Sequence, residues 1–80
     1  MTKFDLYLEQ AENNPAGLNR KQLIRIQNIA MGQGIEILER GGLGAMNNDR
    51  EDFPEISIWS IQRMLEFAYK AGLEDAGKEI

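Results

Sequence analysis

The chain has 80 residues, of which 13 are acidic and 9 are basic, which gives a formal net charge of −4. This length allows a single domain, residues 1–80, and the negative charge disfavours a generic nucleic-acid binder, because phosphate contacts need positive surface. The absence of cysteine and histidine removes thiolates, the commonest general base and the commonest metal ligand, so we expect no metal site, cofactor or ordinary enzyme.

A first helix is predicted over about residues 3–13. Thr2 suits the N-cap, and Asp5 stands three residues later, in a variant of the capping box. The apolar side chains recur at spacings of three and four, at Phe4, Tyr7, Leu8 and Ala11. Pro15 limits the helix, because the residue before a proline avoids helical geometry.

A second helix is predicted over about residues 20–40. Asn19 is a preferred N-cap and Gln22 occupies the capping-box position, while Gly41 suits the left-handed residue that closes a helix. Gly32 and Gly34 leave two alternatives open. The first alternative, which we prefer, is one long central helix that another part of the chain approaches closely at the glycines. The second is two helices joined there.

Residues 41–53 are predicted to form a loop, which is long for so small a domain and so indicates a functional or a disordered segment. A third helix follows over about residues 54–71. Pro54 suits its first turn, with Ser57 as an alternative cap, and its stripe is Ile58, Ile61, Leu65 and Ala68. Gly72 is expected to end this helix.

Three predicted helices without a convincing strand indicate an all-α fold, a small three-helix bundle whose long central helix has a candidate break at Gly32–Gly34. The alternating segment 56–61 is the competing signal, because alternation of apolar and polar residues is typical of a strand.

Candidate catalytic and metal-binding groups are few. Ser57 and Ser60 have no histidine to activate them and are explained by helix capping. The oxygen-bearing side chains between residues 47 and 55 do not match the glycine and glutamate positions of a calcium loop. We therefore expect no catalytic residue, no bound metal and no small-molecule substrate.

Acidic residues cluster at the end of the predicted loop, beside aromatic residues of the third helix. An acidic surface can attract a basic site on another protein, and exposed aromatic side chains can anchor the contact. The leading hypothesis is a small acidic protein-binding module, an inhibitor or adaptor of the kind that mobile elements such as phages encode. Its expected contact residues are Asp49, Glu51, Asp52, Glu55, Trp59 and Tyr69.

A divergent DNA-binding regulator is the first alternative. Arg20, Lys21 and Arg25 concentrate basic charge at the start of the second helix, where a helix dipole favours acids. The run from Arg20 to Leu23, with the segments 32–35 and 39–41, resembles phage-repressor-type helix-turn-helix domains. That resemblance implies phosphate contacts by the three bases. The spacing is one residue longer than the pattern, so we do not infer membership.

A second alternative is a homo-oligomer that buries the third helix against its copy, since this helix is apolar on more than one side. No segment approaches the roughly 18 apolar residues of a membrane span, and Asp5 stands where a signal peptide would be apolar. We expect a cytoplasmic protein with no membrane contact.

Overall fold

The structure, a computed structural model, describes residues 2–78, except for the side chains of Asp49 and Lys78. Helices account for most of this range: α1 (Lys3–Gln10), α2 (Arg20–Gln33), α3 (Ile35–Arg40), α4 (Asp49–Asp52) and α5 (Ile58–Lys78). Residues 2–78 contain no strand, and the alternating segment 56–61 leads into the first turn of α5. The prediction of a small all-α bundle is confirmed.

The centre of the bundle is α2, against which α1, α3 and α5 all pack. The buried apolar side chains come from four of the helices and are Leu8, Leu23, Ala30, Ile37 and Ala71. This apolar core is small, so we expect hydrogen bonds between side chains and loops to carry an unusual share of the fold's specificity.

Two helices begin where the capping residues predict. The side chain of Asn19 accepts a hydrogen bond from the Gln22 N–H at 3.0 Å, and the Gln22 side chain accepts one from the Asn19 N–H at 2.9 Å. The Thr2 hydroxyl accepts one from the Asp5 N–H at 3.1 Å. Both predicted caps are confirmed, because they satisfy N–H groups that the helix itself leaves without partners.

The first helix is shorter than the predicted range 3–13, since α1 ends at Gln10 and a turn follows. Asn14 explains this early end. Its side chain donates hydrogen bonds to the Ala11 and Leu18 carbonyls and accepts one from the Leu18 N–H at 2.8 Å. Asparagine competes in this way with the helical hydrogen-bond pattern.

The predicted central helix is broken, so the preferred single helix is wrong and the alternative of two joined helices is right. Gly34 separates α2 from α3 in an extended conformation, with φ −127° and ψ 106°. A Cβ atom at Gly34 would lie 2.2 Å from Cε of Met64, which comes from α5. The break therefore lies where α5 crosses the chain and contacts its backbone.

The third predicted helix starts later and ends later than the range 54–71. Ser57 is its N-cap, since the hydroxyl accepts a hydrogen bond from the Ser60 N–H at 3.1 Å, and Pro54 lies in the connection before it. The helix continues through Gly72 to Lys78. Ion pairs between Arg25 of α2 and two acids of the last turns, Glu74 and Asp75, attach this extension to the bundle.

Candidate partner-binding surface

Arg40 organises the connection between α3 and α4. Its guanidinium donates hydrogen bonds to the carbonyls of Gly42, Gly44 and Glu51, the last at 2.7 Å. It also pairs with the Asp52 carboxylate at 3.0 Å. The arginine has five donors in a fixed fork, so one side chain can satisfy several carbonyls that no helix or strand satisfies. The predicted loop 41–53 is thus folded around an arginine, and it contains α4.

Asp52 completes this arrangement from the other end of the connection. Its carboxylate accepts hydrogen bonds from the N–H groups of Met46 at 2.7 Å and Asn47 at 2.8 Å. The bond from Met46, followed by those from Asn47 and the charge of Arg40, holds the pKa of the Asp52 carboxyl below its usual value, against an opposing effect of partial desolvation. A carboxylate with these partners stays ionised more readily.

Gln27 joins three parts of the molecule and is completely buried, with no exposed surface. Its amide donates to the Phe4 carbonyl of α1 at 3.0 Å and accepts from the Leu43 N–H at 2.9 Å. Gln27 stands on the buried face of α2 with Leu23 and Ala30, at helical spacings of four and three. The signal that could have identified it is this polar side chain at a position with core spacing.

An acidic cleft lies between α3, α4 and the start of the connection to α5. Arg40 contributes to its wall but is paired with Asp52, and four glutamates outnumber Arg50, the other base in the lining, so the charge of the cleft is negative. One oxygen of Glu36, Oε2, is buried without a hydrogen-bond partner among the described residues. The lining residues are Glu36, Glu39, Arg40, Asn48, Arg50, Glu51, Pro54 and Glu55.

The expected contact residues do not form one surface. Asp52 points its carboxylate at the chain's own backbone and at Arg40, and Glu51 pairs with Lys3 at 4.0 Å. Glu55 is exposed at the acidic cleft, while the side chain of Asp49 lies outside the described part of the structure.

The predicted aromatic anchors, Trp59 and Tyr69, are 74% and 73% exposed. They lie ten residues apart on one helix, which corresponds to about 15 Å along its axis. Phe53, the last residue of the predicted loop, is 78% exposed and precedes Pro54 of the cleft. Phe53 and Trp59 therefore flank the cleft segment in the chain, whereas Tyr69 belongs to another part of the surface.

Two faces of α5 differ in their surroundings. The inner face is turned toward α2, and its side chains are buried or half-buried, at Ser60, Met64, Ala68, Ala71 and Asp75. A second series, which we call the outer stripe, is exposed and consists of Ile58, Ile61, Leu65, Tyr69 and Leu73. Both series follow spacings of three and four, so each one occupies a single side of the helix.

The three bases of the predicted nucleic-acid contact are not presented together. Arg20 and Lys21 are exposed at the start of α2, but Arg25 pairs with Glu74 at 2.9 Å and with Asp75 at 3.3 Å. A helix-turn-helix motif has a turn of three or four residues. Here Gly34 alone separates α2 from the six-residue α3. DNA binding stays a prediction.

Residues 2–78 contain neither a cluster of metal ligands nor a membrane-spanning helix. No group of three or more acids, cysteines or histidines within this range is arranged to hold a metal ion. None of the described helices is both long enough and apolar enough to cross a bilayer.

In a comparison with protein families, residues 21–76 match the model described as a family of unknown function, DUF6900. The chain belongs to this family. The matched region contains Arg40, the acidic cleft, and nearly all of α2 and of α5. No curated protein and no solved structure shows significant similarity to the chain.

Proposed function

We propose that this member of the DUF6900 family is a non-catalytic protein-binding module whose partner carries a basic surface. The observation that carries the proposal is the acidic cleft of Glu36, Glu39, Glu51 and Glu55, flanked in the chain by the exposed aromatic residues Phe53 and Trp59. An inhibitor or an adaptor would both act through a contact of this kind.

Electrostatics supports a basic partner. The chain has four more acids than bases, and at the cleft the charge of Arg40 is already balanced by Asp52. The remaining carboxylates of Glu39 and Glu55 face open solvent, where they attract a cationic surface over about one Debye length, roughly 8 Å at physiological ionic strength. Charges at the rim of an interface act mainly on the association rate and on the choice of partner.

Exposed aromatic side chains support a protein as the partner. Phe53 and Trp59 each keep about three quarters of their surface in water, which leaves their hydrophobic free energy unused in the folded chain. Tryptophan is enriched among the residues that dominate binding energy, and such residues contribute most where surrounding groups exclude water. The cleft then supplies attraction, and the aromatic residues supply affinity.

Affinity capture with the tagged full chain, in extract of its source organism, tests the proposal through matched variants. The double variant Glu39→Lys/Glu55→Lys changes the charge of the cleft from negative toward positive. Trp59→Ser removes an aromatic anchor and should weaken the binding free energy by about 2 kcal/mol, which is near thirtyfold in affinity. The control Glu12→Lys makes the same charge change at an exposed site outside the cleft.

We expect a protein that wild type and Glu12→Lys both retain, and that the cleft variant and Trp59→Ser lose. Retention should also weaken as salt rises. Equal retention by all four proteins, or no protein specific to wild type, would show that the cleft and Trp59 are not a binding surface.

A further inference from the structure

We infer that the outer stripe of α5 binds a second copy of this chain, with the two α5 helices antiparallel across a two-fold axis at Leu65. This inference concerns a surface other than the acidic cleft and does not depend on the proposed function. It rests on the exposure of the stripe, its pattern along the helix, its area and its charge.

The stripe has no partner within the described part of its own chain. Its members are between 38% and 73% exposed, while the inner face of the same helix is used for packing on α2. A helix that served this fold alone would need one apolar side and could be polar elsewhere. The outer stripe is therefore an additional apolar side on a helix of 21 residues.

The spacing of the stripe is nearly symmetric about its middle residue. Relative to Leu65, its members lie at −7, −4, 0, +4 and +8. In an antiparallel pair centred there, Leu65 meets Leu65 of the other copy, and Ile61 meets Tyr69. Ile58 likewise meets Leu73 to within one residue. A two-fold interface must be complementary to itself, and this pattern fulfils that condition.

The area of the stripe suits a weak dimer. Its side chains present about 600 Å² of mostly apolar surface, from roughly 100 Å² for each of the four leucines and isoleucines and about 200 Å² for the tyrosine. Two copies would bury at most about 1,200 Å², which lies at the boundary between weak, transient contacts and specific interfaces of standard size. We therefore expect a dimer that forms and dissociates with concentration in the micromolar to millimolar range.

The neutral charge of α5 favours a second copy of this helix, and not a strongly basic protein, as the partner of the outer stripe. The stripe contains no charged residue, and the charges of α5 cancel, with Arg63, Lys70 and Lys78 against Glu66, Glu74 and Asp75. The excess negative charge of the chain comes from elsewhere, including α1 and the acidic cleft. Two copies can approach through α5 without bringing their acidic surfaces into contact.

Sedimentation equilibrium of the full chain, from about 10 μM to about 1 mM, tests the inference. We expect the mean mass to rise from one chain toward two for wild type, and to stay at one chain for Leu65→Glu. The control Trp59→Glu adds the same charge and removes an apolar side chain of similar exposure outside the stripe, and it should dimerise like wild type. Far-ultraviolet circular dichroism checks that each variant keeps its helix content.

Oxidative cross-linking is a second test of the dimer, and it does not require a charged substitution in α5. The chain has no cysteine, so Leu65→Cys introduces one thiol, at the position that faces itself across the proposed axis. We expect a disulfide-linked dimer for Leu65→Cys and none for Trp59→Cys, because the bond needs Cα atoms within about 7 Å.

A wild-type mass of one chain up to about 1 mM, or an unchanged mass for Leu65→Glu, would overturn the inference. The loss of partner capture by the cleft variant alone would still leave the dimer intact, so the two proposals can fail separately.

Discussion

Arg40 and Asp52 form an ion pair at 3.0 Å whose other hydrogen bonds go to the backbone between them. The arginine binds carbonyl groups of this segment, and the aspartate binds its N–H groups. Together they replace the hydrogen bonds that a strand or a longer helix would provide. The acidic cleft depends on this pair, because the same segment forms one of its walls.

Replacing Arg40 by alanine should lower the free energy of unfolding by about 2–4 kcal/mol. The three carbonyls that it satisfies lose their donor, and Asp52 keeps a charge without its ion partner. Arg40→Lys should recover little, because an ammonium group cannot reproduce the fork of donors. Urea denaturation monitored by circular dichroism measures both effects. Arg63→Ala is the control, since Arg63 is exposed on α5, and it should change stability by less than about 0.5 kcal/mol.

The stabilising effect of Asp52 should disappear at low pH. Its pKa is lower in the folded chain than the usual value of 3.8, so its ionised form favours folding above pH 3.8. That contribution is lost as the pH falls through the lower folded pKa. We expect wild type to be more stable than Asp52→Asn at neutral pH, with a difference that shrinks below about pH 3.8. A difference independent of pH from 7 to 2 would contradict this assignment.

Gly42 should not tolerate a side chain. Its φ of +125° disfavours any L-residue, and a Cβ atom there would lie 2.1 Å from Oε1 of Gln27. Gly42→Ala should therefore cost at least about 2 kcal/mol, from backbone strain together with loss of the buried hydrogen bonds of Gln27. Gly32→Ala is the matched control. Nothing lies within 4 Å of its added Cβ, and in a helix it should be neutral or stabilising by up to about 1 kcal/mol.

The ion pairs of Arg25 should contribute little to stability. The guanidinium and the Glu74 carboxylate are 37% and 44% exposed, so water and salt screen their attraction. Arg25→Ala should lower the free energy of unfolding by less than about 1 kcal/mol, and by less still in 1 M salt. Lys21→Ala, at an exposed position, should have no measurable effect. A loss above about 2 kcal/mol for Arg25→Ala would mean that the end of α5 is held far more firmly than this geometry implies.

The sequence predicted the helices better than their connections. Asn19 and Gln22 identify the start of α2 because capping is a local interaction between residues three apart. The break at Gly34 depends on Met64, which is thirty residues away in the chain, so glycine content alone left two alternatives open. The choice of Ser57 over Pro54 as the start of α5 was equally undecided by local signals.

The candidate surface was predicted less well than the fold. Acidic residues of the connection look alike in the sequence, but Asp52 is used within the chain while Glu55 is exposed. The difference comes from Arg40, whose side chain organises a segment that begins beyond its own helix. Trp59 and Tyr69 were correctly placed on one helix, and their spacing of ten residues is already enough to put them about 15 Å apart along its axis.

Gln10 of α1 exchanges two hydrogen bonds with the backbone of Ala45. Together with the hydrogen bonds of Gln27 and Arg40, they connect α1, α2, α3 and the segment after α3, but none of these bonds involves α5. The last helix packs on α2 through small residues of its own, such as Ala68 and Ala71, and is joined to it by the partly exposed charges of Arg25. We therefore expect α5 to open more readily than the part of the molecule that these hydrogen bonds connect. Amide protons along α5 should consequently exchange with solvent earlier than those around Gln27.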